Sequence, residues 1–391
     1  MTASFGFHDH HSHPLLYSAL RSGVDLSAAV STQQLVQMLG DAPPLLSGRG
    51  GLRLGWGWHS GRIHLHAEHL AELPPTLVVN FSLHQILVND SARGIIVRQF
   101  GEEILPVFDR EWFERNTHVG WALLTALAGS PDALLAFFDD LAKVGIHSAE
   151  ELLLTQAEHL DWIAQCGLSD RMRMWTAPVT YDALGESSRA AIAGIKLFTD
   201  GAIGTHSAAM WDSWSDHDDS IDAKSQPWPR GLLIYEDAVL LGHLRRAAEW
   251  ETGVAIHAIG PRAIEQAISM IQQLGKLRDR IPEVRIEHAQ FITQSQAQRA
   301  RDMNVILSMQ PNFNSDSQLY GGRIGRDLAE CNNPFRMLID EVGFLPGHDL
   351  VFGSDGMPHG IEEAWQAVCD SRILGQRLRR EELERGYTRG A

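Results

Sequence analysis

Cysteine is scarce in this chain of 391 residues. The three present, Cys166, Cys331 and Cys369, are odd in number and far apart. That argues against a disulfide framework or a paired-cysteine metal site and fits a reducing compartment. Positive charge is also short, with 33 Lys and Arg against 49 Asp and Glu, a formal net charge of −16. So acidic a surface disfavours nucleic acid and anionic membranes as partners. No apolar run reaches the roughly 18 residues of a membrane span. The opening MTASFGFHDHH lacks the basic-then-apolar order of a secretory signal. The expectation is a cytoplasmic protein acting on a small-molecule substrate, with no nucleic-acid or membrane partner; a homo-oligomer is left open. Repeats, low-complexity tracts and Gly/Ser/Pro linkers are missing too, so nothing visibly divides the chain.

What is present is an alternation. Short apolar runs, RMRMWTAPV (171–179), AGIKLFTDG (193–201), GVAIHAIG (253–260), VRIEHAQ (284–290), NVILSMQP (304–311) and LVFGSDG (350–356), are separated by helical stretches such as EDAVLLGHLRRAAEWE. Alternating strands and helices imply a parallel sheet. Adding FGFHDH at the start and VGIHSAEE near 144 gives eight strands, the count of a (β/α)8 TIM barrel. The chain reads as a single barrel over 1–391 with a long insertion, 15–140, between strands one and two. So long an excursion from a barrel mouth suits a lid or substrate pocket.

The stretch HDHHSHP, residues 8–14, carries four histidines. Residues two apart in an extended segment face the same side, so His11 and His13 can reach one ion. His257, His288 and Asp355 fall near the ends of later strands and Lys196 lies on another, where barrel enzymes keep their functional groups. Imidazoles with carboxylate suit Zn²⁺ or a similar divalent ion. An ammonium cannot ligate a metal, so Lys196 fits such a set only as the neutral amine or as a carbamate able to bridge two ions. The alternative for Lys196 is a buried salt bridge to Asp200 or Asp355. His10 has the wrong parity for this set, and His8 and His10 read as bystanders. His64, His66 and His69 read as a solvated surface of the insertion.

Together these residues resemble the amidohydrolase superfamily. GFHDHHSH is similar to its GF-x-D-x-H-x-H opening. GIKLFTDGAIGTHSAAM, HAIGPRAIEQA, IEHAQ, FGSDGMP and LHQILVND resemble segments of the branch that includes N-substituted formamide deformylases, and RREELERGYTRGA resembles that branch's last helix. The resemblance implies one or two divalent ions, Zn²⁺ by default, held by His11, His13, Lys196, His257, His288 and Asp355. It favours a carboxylated Lys196. It also implies hydrolysis of an amide- or formamide-type C–N bond, with Asp355 as proton shuttle, and it tilts His84 and Asn89 towards substrate contact. Asp200 caps a turn or holds substrate, and Gln310 supports a ligand or meets substrate at the mouth. Trp58, with Trp56 and Trp211, would suit an apolar substituent. Three departures stand out. The β-sandwich usual in the family is not expected here, Pro261 replaces an Asp in HAIGDR, and His8 and His10 are additional. Two alternatives remain: a heterocycle deaminase on the same barrel, for which no Glu adjoins His257, and an inactive metal-binding barrel, which has no reason to keep Asp355.

Overall fold

The computed structural model describes residues 6–45, 50–60, 62–216, 228–356 and 358–388. Twelve strands follow in chain order: β1 Phe7–Ser12, β2 Val24–Asp25, β3 Arg53–Trp58, β4 Thr76–Asn80, β5 Ile86–Val88, β6 Ile146–Leu154, β7 Met172–Thr176, β8 Ile192–Phe198, β9 Gly253–Ala258, β10 Val284–His288, β11 Ile306–Met309 and β12 Leu350–Phe352. Eight of them form one sheet in the order β1-β6-β7-β8-β9-β10-β11-β12. Every pairing in it is parallel. A parallel bridge between Ser12 and Asp355 brings its two ends together. The fold is a (β/α)8 barrel.

The sequence dictates this directly. Strands of a parallel sheet are buried on both faces and read as near-continuous apolar runs; every residue of β9, GVAIHA, is buried. The helix after β9, Pro261–Gln273, lays its apolar stripe on the sheet with Ala263, Ile264, Ala267, Ile268 and Ile271 buried. Pro261, the departure from the expected Asp, occupies the first helical turn after Gly260. A proline there gives up no hydrogen bond and has its φ preset for the helix.

Contacts divide the chain into two units, one of Met1–His13 with Phe138–Ala391 and one of Pro14–Phe137. The smaller unit has a sheet of its own, β2-β3-β4-β5, in which only β4 and β5 run antiparallel. Its core gathers Leu26, Leu35, Leu39, Trp58, Ile63, Leu70 and Val78. Among the described residues no single helix is long and apolar enough to cross a membrane.

Candidate active site

β1 delivers His11 and His13 to the C-terminal end of the barrel, where both imidazoles turn one nitrogen towards a single carboxylate oxygen. Nε2 of His11 lies 3.6 Å and Nε2 of His13 3.3 Å from Asp355 Oδ1. Their other nitrogens are held from behind. Nδ1 of His11 donates to Glu287 Oε2 at 2.6 Å, and Nδ1 of His13 is 3.4 Å from Glu151 Oε1. A carboxylate on the far nitrogen sets the tautomer and aims the near one, the arrangement typical of metal-ligating histidine.

The remaining histidines complete the ring. His288 lies with its ring centroid 4.7 Å from that of His11, and His257 4.5 Å from His288. Nδ1 of His288 donates to Gln310 Oε1 at 2.7 Å, and the ring stacks on Phe313. Gln310 thus holds the His288 ring in place. His257 points Nε2 at Gly201 O (3.2 Å) and Asp200 Oδ1 (3.3 Å).

Asp200 itself is fully buried and accepts from the backbone N–H groups of Ala209, Ile259 and Gly260. It ties the loops after β8 and β9 together behind His257. These hydrogen bonds are those of a loop-holding carboxylate.

Lys196 on β8 is 2% exposed, and its Nζ has no hydrogen-bond partner among the described residues. Burial pushes its amine down to about 8, although Glu287 and Asp355 favour its charged form. The alternative for Lys196, a salt bridge to Asp200 or Asp355, does not form among the described residues. Burial also lowers His11 to about 4, helped by the nearby Lys196, so His11 offers a lone pair at neutral pH. Burial works against ionisation of Asp355, but His11, His13 and His288 outweigh it and hold the carboxyl well below the usual range. Burial would lower His13 as well, yet Asp355 and Glu151 raise it above its ordinary value.

That last shift has a consequence for metal uptake. A proton bound by His13 must leave before an ion can take its place. Zinc binding is expected to release protons at about pH 7 and to weaken as pH falls. Zinc titration in a weakly buffered indicator solution checks this; uptake without proton release at that pH contradicts it.

Backbone strain collects at the same place. Asp355 has φ +54° and His288 φ +71°, left-handed values that residues with a Cβ rarely adopt. Asp355 itself makes the tight turn after β12. Gly353 serves close approach instead: a Cβ there would sit 2.3 Å from His11 N. Asp9 holds the strained segment. One of its oxygens accepts from both His11 N (3.1 Å) and Ser354 N (3.0 Å), and Asp355 N donates to His11 O at 2.6 Å. Ser354 Oγ also bonds Asp9 Oδ2 and His359 Nδ1.

Below the ring of histidines, Arg285 is buried inside the barrel. Its guanidinium donates to Glu287 Oε1 (2.8 Å), Glu150 Oε2 (2.7 Å), His10 O (2.6 Å) and Ser308 Oγ (2.9 Å), over the Trp175 ring. It thus fixes the carboxylate that aims His11.

The sequence matches the amidohydrolase family over residues 6–391. The chain belongs to the amidohydrolase family. YtcJ of Bacillus subtilis (strain 168) is 29% identical over 148 residues, 38% of this chain and 26% of that protein. LONG AFTER FAR-RED 3 of Arabidopsis thaliana is 29% identical over 140 residues, 35% of this chain and 22% of that protein. The aligned segments thus span about a quarter of these curated relatives. In fold, this amidohydrolase resembles an uncharacterized metal-dependent hydrolase from Pyrococcus furiosus, with TM-score 0.64, 19% identity, and 97% of this chain and 79% of that one covered. A second, from Pyrococcus horikoshii OT3, has TM-score 0.64 and 21% identity, with 98% of this chain and 77% of that one covered.

Other expected substrate contacts of this amidohydrolase have roles inside the insertion instead. Asn89 caps the helix Asp90–Phe100, accepting from Ala92 N and Thr76 N while its amide donates to Leu70 O, Leu73 O and Pro74 O. No donor or acceptor is left for a ligand. Trp58 packs in the insertion's core with Nε1 donating to Ile63 O. Trp56 is likewise buried, whereas Trp211 is 54% exposed. His84 pairs Nδ1 with Glu114 Oε2 at 2.7 Å. His66 and His69 are exposed, as expected.

Sequence reasoning missed Glu151, Glu287, Asp9 and Arg285. Each leaves a trace: Glu287 and Arg285 flank Ile286 just before His288, Asp9 lies inside the histidine stretch, and Glu151 ends a buried Glu pair on β6.

Proposed function

We propose that this amidohydrolase is a metal-dependent hydrolase that cleaves an amide- or formamide-type C–N bond in a small-molecule substrate. The observation that carries this reading is the convergence of two back-braced imidazoles on Asp355 Oδ1, beside an orphaned, buried Lys196 amine. That donor set fits a divalent ion: His11, His13, His257, His288 and Asp355 would hold it, with Zn²⁺ the default. Lys196, whose amine burial lowers to about 8 so that a neutral fraction exists near neutral pH, is suited to add CO₂ with loss of a proton and join as a carbamate, in which case two ions fit. A bound divalent ion lowers the pKa of water to about 7 and polarises a carbonyl.

The chain's own groups do the rest. Asp355, ionised and partly open to the mouth, takes the proton from the attacking water and returns it to the leaving nitrogen. Glu287, Glu151 and Gln310 keep the imidazoles aimed, and Asp9 keeps Asp355 opposite them. None of Cys166, Cys331 and Cys369 forms a disulfide among the described residues, which supports a reducing, cytoplasmic location.

The test is a panel of N-formyl and N-acyl amines, with ring amines included as deaminase substrates, assayed on zinc-loaded protein and on His257→Ala. Amide turnover that falls in the variant together with metal content is expected; ring deamination alone would overturn the reading. Removing bicarbonate is expected to lower activity, and Lys196→Ala to be partly rescued by short carboxylic acids. A high-resolution structure showing a free ammonium turned away from the ions would contradict the carbamate.

A further inference from the structure

His8 and His10 are the two histidines of HDHHSHP that the catalytic reading leaves unused. They lie earlier on β1, towards the opposite end of the barrel, and both face Glu150 of β6. Nε2 of His8 is 3.5 Å and Nδ1 of His10 3.2 Å from the same atom, Glu150 Oε1. The three ligand atoms lie within 4.8 Å of one another, and all three residues are buried. We propose that His8, His10 and Glu150 form a second divalent-cation site, structural rather than catalytic, on the floor of the barrel.

The hydrogen bonds behind the rings carry the case. Nε2 of His10 is 3.1 Å from Thr388 O, a carbonyl that can only accept, so in a singly protonated ring that nitrogen is the one that donates. Its Nδ1 lone pair then faces a carboxylate oxygen. On the other ring, Nδ1 of His8 bonds Ser148 Oγ at 2.7 Å. With that nitrogen donating, a second lone pair faces the same oxygen. Electron pairs this close repel unless a positive charge sits among them. The design repeats that of His11 and His288, whose far nitrogens are held by Glu287 and Gln310.

Glu150 can serve because its other oxygen, Oε2, already accepts from Arg285 Nη1 and Trp175 Nε1, leaving Oε1 for the ion. The guanidiniums of Arg285 and Arg173 lie close by, but Glu150, Glu283 and Glu287 outnumber them. Two imidazoles and a carboxylate are a zinc-type donor set. An ion here would pin the end of the chain, since His8 N also donates to Tyr387 O at 2.7 Å.

Zinc per chain, measured after loading and desalting, tests the site without any assay of activity. His8→Gln/His10→Gln is expected to hold one zinc fewer than wild type. His257→Ala is expected to retain the floor ion, so loss of the catalytic reading and loss of this one are distinguishable. Equal zinc in wild type and double variant overturns the proposal. Should the double variant fail to fold, anomalous scattering at the zinc edge from wild-type crystals decides. A peak between His8 Nε2, His10 Nδ1 and Glu150 Oε1 is expected. No peak there means that a proton on His10 supplies the charge, and the proposal falls.

Discussion

Asp355→Asn is expected to fold, to keep its metal and to lose about 10²–10⁴ in kcat, the usual cost of removing a general acid–base group. The amide keeps the shape and one oxygen towards His11 and His13 but can no longer accept a proton from water. Asn also tolerates the left-handed φ of +54° better than most residues, so the turn survives. Folding is checked by denaturant melts and metal by elemental analysis, with kcat measured on a confirmed substrate. A metal-loaded variant that turns over like wild type would move the proton transfer elsewhere.

Arg285→Met is expected to destabilise the protein by about 3–5 kcal/mol, the typical penalty for stranding the partner of a buried ion pair. Arg285 is 1% exposed and satisfies Glu150 and Glu287 at once, and both carboxylates would be left unpaired in the barrel interior. Against a total of about 5–15 kcal/mol this loss is large. Glu287, freed to move, would also aim His11 less well, so zinc affinity should fall as well. Arg285→Lys should keep the charge but lose the fork that reaches both carboxylates, and should fall between the two. A denaturant midpoint for Arg285→Met close to that of wild type would show that the relay does not carry stability.

The barrel was legible because its strands are doubly buried: runs such as GVAIHAIG and VRIEHAQ announce themselves without a partner. The candidate ligand positions were legible because they stand at the ends of those runs. The partners behind the ligands were not, since Glu287 meets His11 across 276 residues of sequence and nothing local records that register. Asn89 shows a different failure. It stands directly before the helix DSARGIIVRQF, an N-cap position whose capping preference was outweighed by a family likeness. Asp355 shows a third: it makes a left-handed turn between two glycines, and the pull of Asp9 and His11 on Ser354 and Asp355 that holds it there is invisible in one dimension. The insertion was visible as a long gap, but its four short strands depend on contacts that periodicity does not report.

The central claim is that His11, His13, His257, His288 and Asp355 hold a divalent ion on which hydrolysis depends. Metal content and amide hydrolysis, followed together as chelated protein is titrated with Zn²⁺, test it most directly. Activity that rises in step with zinc in wild type, with both much reduced in His257→Ala, is the expected result. Wild-type protein that takes up no stoichiometric zinc, or hydrolyses equally well without it, would contradict the claim.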